Sequence, residues 1–165
     1  MLISLLPLDL FGIDAATFDY TPCSYSSSKI VCKGSELEVE DVLDAFHRNQ
    51  DNTKIKSIEI TSVNVNDANL EEIFDTVKAS CHKTEAIKLN NLGLVEKLPE
   101  SLGNFVALKK LVMNKMNGIK TLPTGSIPIA SSDISHVALW GGQLEEIQPD
   151  FIHFLEEGII HWNNC

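Results

Sequence analysis

Residues 84–99, TEAIKLNNLGLVEKLP, return as residues 108–123, LKKLVMNKMNGIKTLP. Apolar side chains recur at matching places: Ile87, Leu89, Leu92 and Leu98 in the first copy, Leu111, Met113, Met116 and Leu122 in the second. Both copies close on Leu-Pro, and Ile87 and Leu111 stand 24 positions apart. Self-similarity at a fixed period of this length marks a chain built from stacked units, each too small to bury its apolar face alone.

The same frame extends in both directions. Upstream, IKSIEITSV (55–63) alternates, with Ile58 and Ile60 inward and Glu59 and Thr61 outward, which is the strand period. Before it, SELEVEDVLDAFHRN (35–49) spaces Leu37, Val39, Val42, Leu43 and Phe46 as one face of a helix. After it, DANLEEIFDTVKAS (67–80) does the same with Leu70, Ile73, Phe74 and Val77, and carries acidic residues in its first turn. Downstream, ISHVALWGGQLEEIQ (134–148) puts Val137 and Leu139 in the strand core, and GIIHW (158–162) supplies a last strand. The strand cores are therefore expected near Val31, Ile58, Ile87, Leu111, Val137 and Ile160. Long early spacers hold helices; the later ones have room for short helical turns or extended backbone.

Four cysteines are present, and Cys23 and Cys32 bracket CSYSSSKIVC. Its Ser-rich middle reads as a turn and KIV as a strand start. A Cys23–Cys32 disulfide would pin a hairpin over the open end of the first unit, which needs covering because it has no neighbour. Two reduced thiols in a cytosolic protein are the competing reading. Cys81 and Cys165 have no evident partner. No cysteine or histidine pair has zinc spacing.

The strand pattern, the Leu-Pro endings and the two-cysteine segment together resemble an extracellular leucine-rich repeat protein. More narrowly, LPTGSIPIASSDISHVALWGGQLEEIQPDF (122–151) resembles arthropod secreted proteins described as similar to the non-catalytic subunit of the Oplophorus luciferin 2-monooxygenase. The resemblance implies an α/β leucine-rich repeat solenoid, with parallel concave strands and a mixed helical and irregular convex side. It also implies an accessory or binding role, with catalysis elsewhere. The organisation expected is a signal peptide at 1–16, an N-terminal cap at 17–35 and repeats over 36–165. The last strand then leaves an edge to be covered by further repeats, by a partner or by a second copy. One departure stands out: the position where such repeats carry a ladder-forming asparagine holds Val63, Leu92, Met116 and Gly142, with Asn64, Asn91 and Asn117 one place away.

Function narrows by charge and by what the outward positions hold. Thirteen basic against twenty-three acidic side chains leave a net charge of −10, which disfavours nucleic acid and anionic membranes as partners. The five histidines are scattered, no glycine-rich phosphate loop occurs, and the acidic pairs read as solvated or helix-start residues. The expectation is a secreted, non-catalytic binding module without cofactor, metal or membrane span. Its contact residues would be Trp140, His136, Lys88, Asn90, Lys110, Asn114, Lys115, Glu59 and Thr61, with Trp140 as anchor. Lys88, Lys110 and Lys115 are read as a basic strip for an acidic partner. An assembly subunit pairing through its C-terminal edge and a cytosolic adaptor are the alternatives.

Overall fold

Five-residue segments with apolar side chains at their second and fourth positions form the backbone of the molecule. In Ala86–Asn90 (β4) and Lys110–Asn114 (β5), Ile87, Leu89, Leu111 and Met113 are buried while the side chains between them face out. The computed structural model describes residues 23–26, 28–80, 82–122, 134–143, 145–147 and 159–163. The expected signal peptide, Cys81 and Cys165 lie outside the described residues.

The remaining strands are β1 (Cys23–Ser26), β2 (Lys29–Lys33), β3 (Ser57–Thr61), β6 (Thr121–Leu122), β7 (His136–Trp140), β8 (Glu146–Ile147) and β9 (Ile159–Asn163). Among the described residues, seven of them form one sheet in the order β1-β2-β3-β4-β5-β7-β9. Only β1 and β2 pair antiparallel; every later pair is parallel. The register brings Ile30, Ile58, Ile87, Leu111, Val137 and Ile160 into one row. The chain is thus a mixed α/β protein with one mostly parallel sheet. A second, two-stranded sheet pairs β6 with β8, and an isolated parallel bridge joins Asn66 to Leu94.

The row corrects one expectation. The core residue of β2 is Ile30, not Val31: Ile30 and Cys32 are buried, and Val31 lies opposite Glu59 on the outward side. KIVCK offers three consecutive apolar residues, so alternation alone allows either phase. Cys32 settles it by pointing inward to Cys23, its direct partner across the hairpin, with the sulfurs 1.96 Å apart in a disulfide. The Ser-rich middle is also more extended than expected, because Ser24–Ser26 belongs to β1.

Both predicted helices are present. Helix α1 (Val39–Arg48) buries Val42, Ala45 and Phe46, with Leu37, Val39 and Leu43 packed against them. Helix α2 (Asp67–Thr76) buries Leu70, Ile73 and Phe74, and a 3₁₀ turn over Lys78–Ser80 follows it. Asn66 and Asn69 form a reciprocal cap at the start of α2, each side-chain oxygen accepting the other's backbone N–H at 3.0 and 3.1 Å. The spacer after β4 holds only a 3₁₀ segment, Glu100–Asn104. Phe74 and Phe105 meet edge to face at 5.4 Å, joining α2 to the next spacer.

Each of four strands ends in the same turn. Ser62, Asn91, Lys115 and Gly141 follow β3, β4, β5 and β7 directly, and all have φ between 53° and 56°. The backbone N–H of Ser62 donates to the Asn90 carbonyl, that of Asn91 to Asn114 and that of Lys115 to Trp140, at 2.7–2.9 Å. The next residue, Val63, Leu92 or Met116, turns into the core. Three of the expected ladder positions are therefore apolar core, and main-chain bonds hold the turn instead. Strand starts repeat as well: one carbonyl, such as Lys56 or Glu85, accepts two successive N–H groups of the next unit. Close stacking also needs Gly118, where an added Cβ would overlap the Val95 carbonyl oxygen.

Candidate functional site

The outward face of the sheet is ruled into rows by the register. One row runs Lys29, Ser57, Ala86, Lys110, His136; the next runs Val31, Glu59, Lys88, Val112, Ala138; the third runs Lys33, Thr61, Asn90, Asn114, Trp140. All nine residues expected to make contacts lie in these rows, except Lys115, which occupies the turn one step beyond β5. The face therefore brings them onto one side of the sheet.

They are not equally available. Glu59 is 5% exposed, although it sits on the outward face. Three lysines close over it: Lys29 Nζ is 2.8 Å from Oε2, and Lys33 and Lys88 Nζ are each 3.1 Å from Oε1. Burial by itself would raise the Glu59 pKa. Hydrogen bonds from Lys29, Lys33 and Lys88 outweigh it and pull the value down to about 2. Glu59 is thus a buried counterion and not an open contact residue.

The expected basic strip is likewise rearranged. Lys88, Lys110 and Lys115 fall in different rows, and Lys88 is held by Glu59. The cationic surface is larger and arranged differently. At the strand-start rim, Lys56 and Lys109 flank Glu85 at 3.5 and 3.3 Å, and the Lys109 hydrogen bond leads in holding the Glu85 carboxyl below its usual range. Among the described residues, Lys29, Lys33, Lys56, Lys88, Lys109, Lys110 and Lys115 lie on the face or its rims, where the carboxylates are Glu59 and Glu85. Lysines that look scattered in sequence converge because the register stacks these units 24 to 29 residues apart.

Toward β7 the surface changes character. Trp140 is 48% exposed at the end of the Thr61–Asn90–Asn114 row. Within that row, Thr61 Oγ1 and Asn90 Oδ1 are shielded atoms without a hydrogen-bond partner among the described residues. Asn91 Nδ2 donates to Ser62 Oγ at 3.1 Å one step further on. Polar amides beside an exposed indole make a surface able to bind by hydrogen bonding and by apolar contact together.

The helical side carries the acids. Two of them join neighbouring units: Asp67 Oδ1 accepts the N–H groups of Glu96 and Lys97, and Glu71 Oε1 accepts that of Ser101 at 2.9 Å. Glu71, one of a pair of acids that sequence alone reads as solvated or helix-start, thus also bonds to the following spacer. Among the described residues no group of three or more His, Cys, Asp or Glu side chains is arranged to hold a metal ion, and no helix is long and apolar enough to cross a membrane. Compared with protein-family models and with curated proteins, the chain matches none.

Proposed function

We propose that this chain is a leucine-rich repeat solenoid acting as a secreted, non-catalytic protein-binding module, with the outward strand face as its concave contact surface. The observation that carries the reading is the exposed tryptophan at the end of the outward face. Trp140 stands 48% exposed at the end of a row of Thr61, Asn90 and Asn114 side chains, and main-chain turns at the ends of four strands hold that face. Exposed tryptophan among polar side chains is the composition of an interface hot spot and its rim. Strands stepping in chain order, each parallel to the last from β2 onward, support the solenoid. The Cys23–Cys32 disulfide supports an oxidising compartment.

Affinity capture from extracellular fluid, with wild type and Trp140→Ala as baits, tests the reading. A protein held by wild type and lost by a folded Trp140→Ala variant supports it. Equal capture by both baits removes Trp140 as the anchor, and equal loss of thermal stability and capture makes Trp140 a packing residue.

A further inference from the structure

The charge on the two sides of this molecule is unequal in a way the net value hides. The whole chain carries −10. Yet on the outward face and its rims the described lysines outnumber the carboxylates seven to two. The balancing acids sit on the other side, in α1 (Glu40, Asp41, Asp44) and α2 (Glu71, Glu72, Asp75).

We propose that the partner of the outward face is a short acidic segment of another protein, carrying carboxylates against β2–β5 and an apolar side chain against Trp140. The inference rests on the binding reading above and names the chemistry of the partner. Glu59 already shows what the face accepts: Lys29, Lys33 and Lys88 place three ammonium groups around one carboxylate at 2.8–3.1 Å. That leaves an excess of two positive charges, and the lysine side chains remain 43–56% exposed, so N–H donors still face solvent. Lys110 lies diagonally beside Lys88 and is exposed, and Lys115 is exposed at the exit rim.

Patch size decides between kinds of anion. With strands about 4.8 Å apart, β2 to β5 spans roughly 14 Å. Beyond it the middle row holds the half-buried Val112 and the fully buried Ala138, so the apolar surface open to a partner is Trp140 at the end of the third row. A long polyanion such as a sulfated glycan or nucleic acid would overrun this patch. Past β5 the three rows hold no described lysine, so most of its charges would have no partner there. A short segment with a few carboxylates and one apolar anchor stays within the patch and uses both parts of it.

Binding of three probes tests this: a synthetic Glu/Gly peptide carrying one Trp, its Lys/Gly counterpart, and a heparin fragment. Each is titrated against wild type, Lys110→Glu/Lys115→Glu, and Lys78→Glu/Lys97→Glu, whose lysines lie on the helical side. The acidic peptide should bind wild type, weaken as salt rises, and lose roughly tenfold or more in affinity with the Lys110/Lys115 pair reversed. The Lys78/Lys97 pair should leave it unchanged, and the basic peptide should not bind. Equal loss in both reversed pairs, or tighter binding of heparin than of peptide, overturns the proposal. So does self-association removed by Lys110→Glu/Lys115→Glu, which would make the occupant a second copy's acidic helices. If the reversed variant does not fold, absence of salt dependence in wild type is enough to overturn it. Partner capture that depends on Trp140 while the acidic peptide fails to bind leaves the contact face standing and removes its charge preference. Failure of both removes both.

Discussion

From β3 to β4 the chain advances 29 residues, and from β4 to β5 only 24, yet the two steps end in the same strand pairing. The first step contains α2 and its 3₁₀ turn, which bury Leu70, Ile73, Phe74 and Val77. The second manages with Glu100–Asn104 and buries Leu102 and Phe105. On the outward face the contrast continues. Around β3 the charges are closed on one another through Glu59, whereas β5 and β7 present Lys110, Asn114 and Trp140 outward. The early units thus pair their face carboxylate with neighbouring lysines, and the later ones carry the exposed Lys110 and Trp140. Variation is confined to the spacers and the outward side chains, because the strand and its terminal turn are fixed by main-chain bonds to the next unit.

Mutations can break this contrast. Phe74→Ala removes the ring that packs on Phe105 and should cost about 3–5 kcal/mol in urea unfolding. Met116→Ala, in the shorter unit, should cost nearer about 2 kcal/mol. An equal cost for the two would show that cohesion is spread evenly.

Glu59→Gln leaves three lysines around a neutral amide and should cost on the order of 3 kcal/mol near neutral pH. The sign follows from a folded pKa of about 2 against an ordinary 4.5. The ionised form is the stabilised one, so the contribution is complete above about pH 4.5 and is lost as pH falls through about 2. Wild-type and Glu59→Gln stability curves should therefore converge at the acid end of that window. A constant gap between them would mean the loss is one of packing.

Reducing the disulfide, or replacing Cys23 and Cys32 by Ser, should cost about 2–3 kcal/mol for so short a loop. Hydrogen exchange should rise first in β1 and β2 and leave β5 protected; uniform loosening would contradict independent early and late regions. Trp140→Ala should do least, within about 0.5 kcal/mol in thermal unfolding, as fits an exposed side chain.

Much of this organisation could be read from residues alone. Alternation in SIEIT and AIKLN, and helical spacing in α1 and α2, are strong local signals because one face of each element is buried. The phase of β2 was not legible, since Ile30, Val31 and Cys32 are all apolar and the disulfide decides among them. Closure of Glu59 was hidden for another reason: its lysines come from neighbouring strands, Lys29 being 30 and Lys88 29 positions away. Only the register shows that they meet. The terminal turn was obscured by its occupants, because Ser62, Asn91, Lys115 and Gly141 share a backbone conformation and no side-chain chemistry. Such a turn is fixed by where the next N–H points, which residue type reports poorly.

That turn has a mechanical consequence. The N–H of Ser62 reaches only as far as β4, that of Asn91 only to β5, and that of Lys115 only to β7. No bond of this series skips a neighbour. Pulled from its two ends, the stack should therefore peel one strand at a time, and the force record should show a succession of small releases in place of a single rupture.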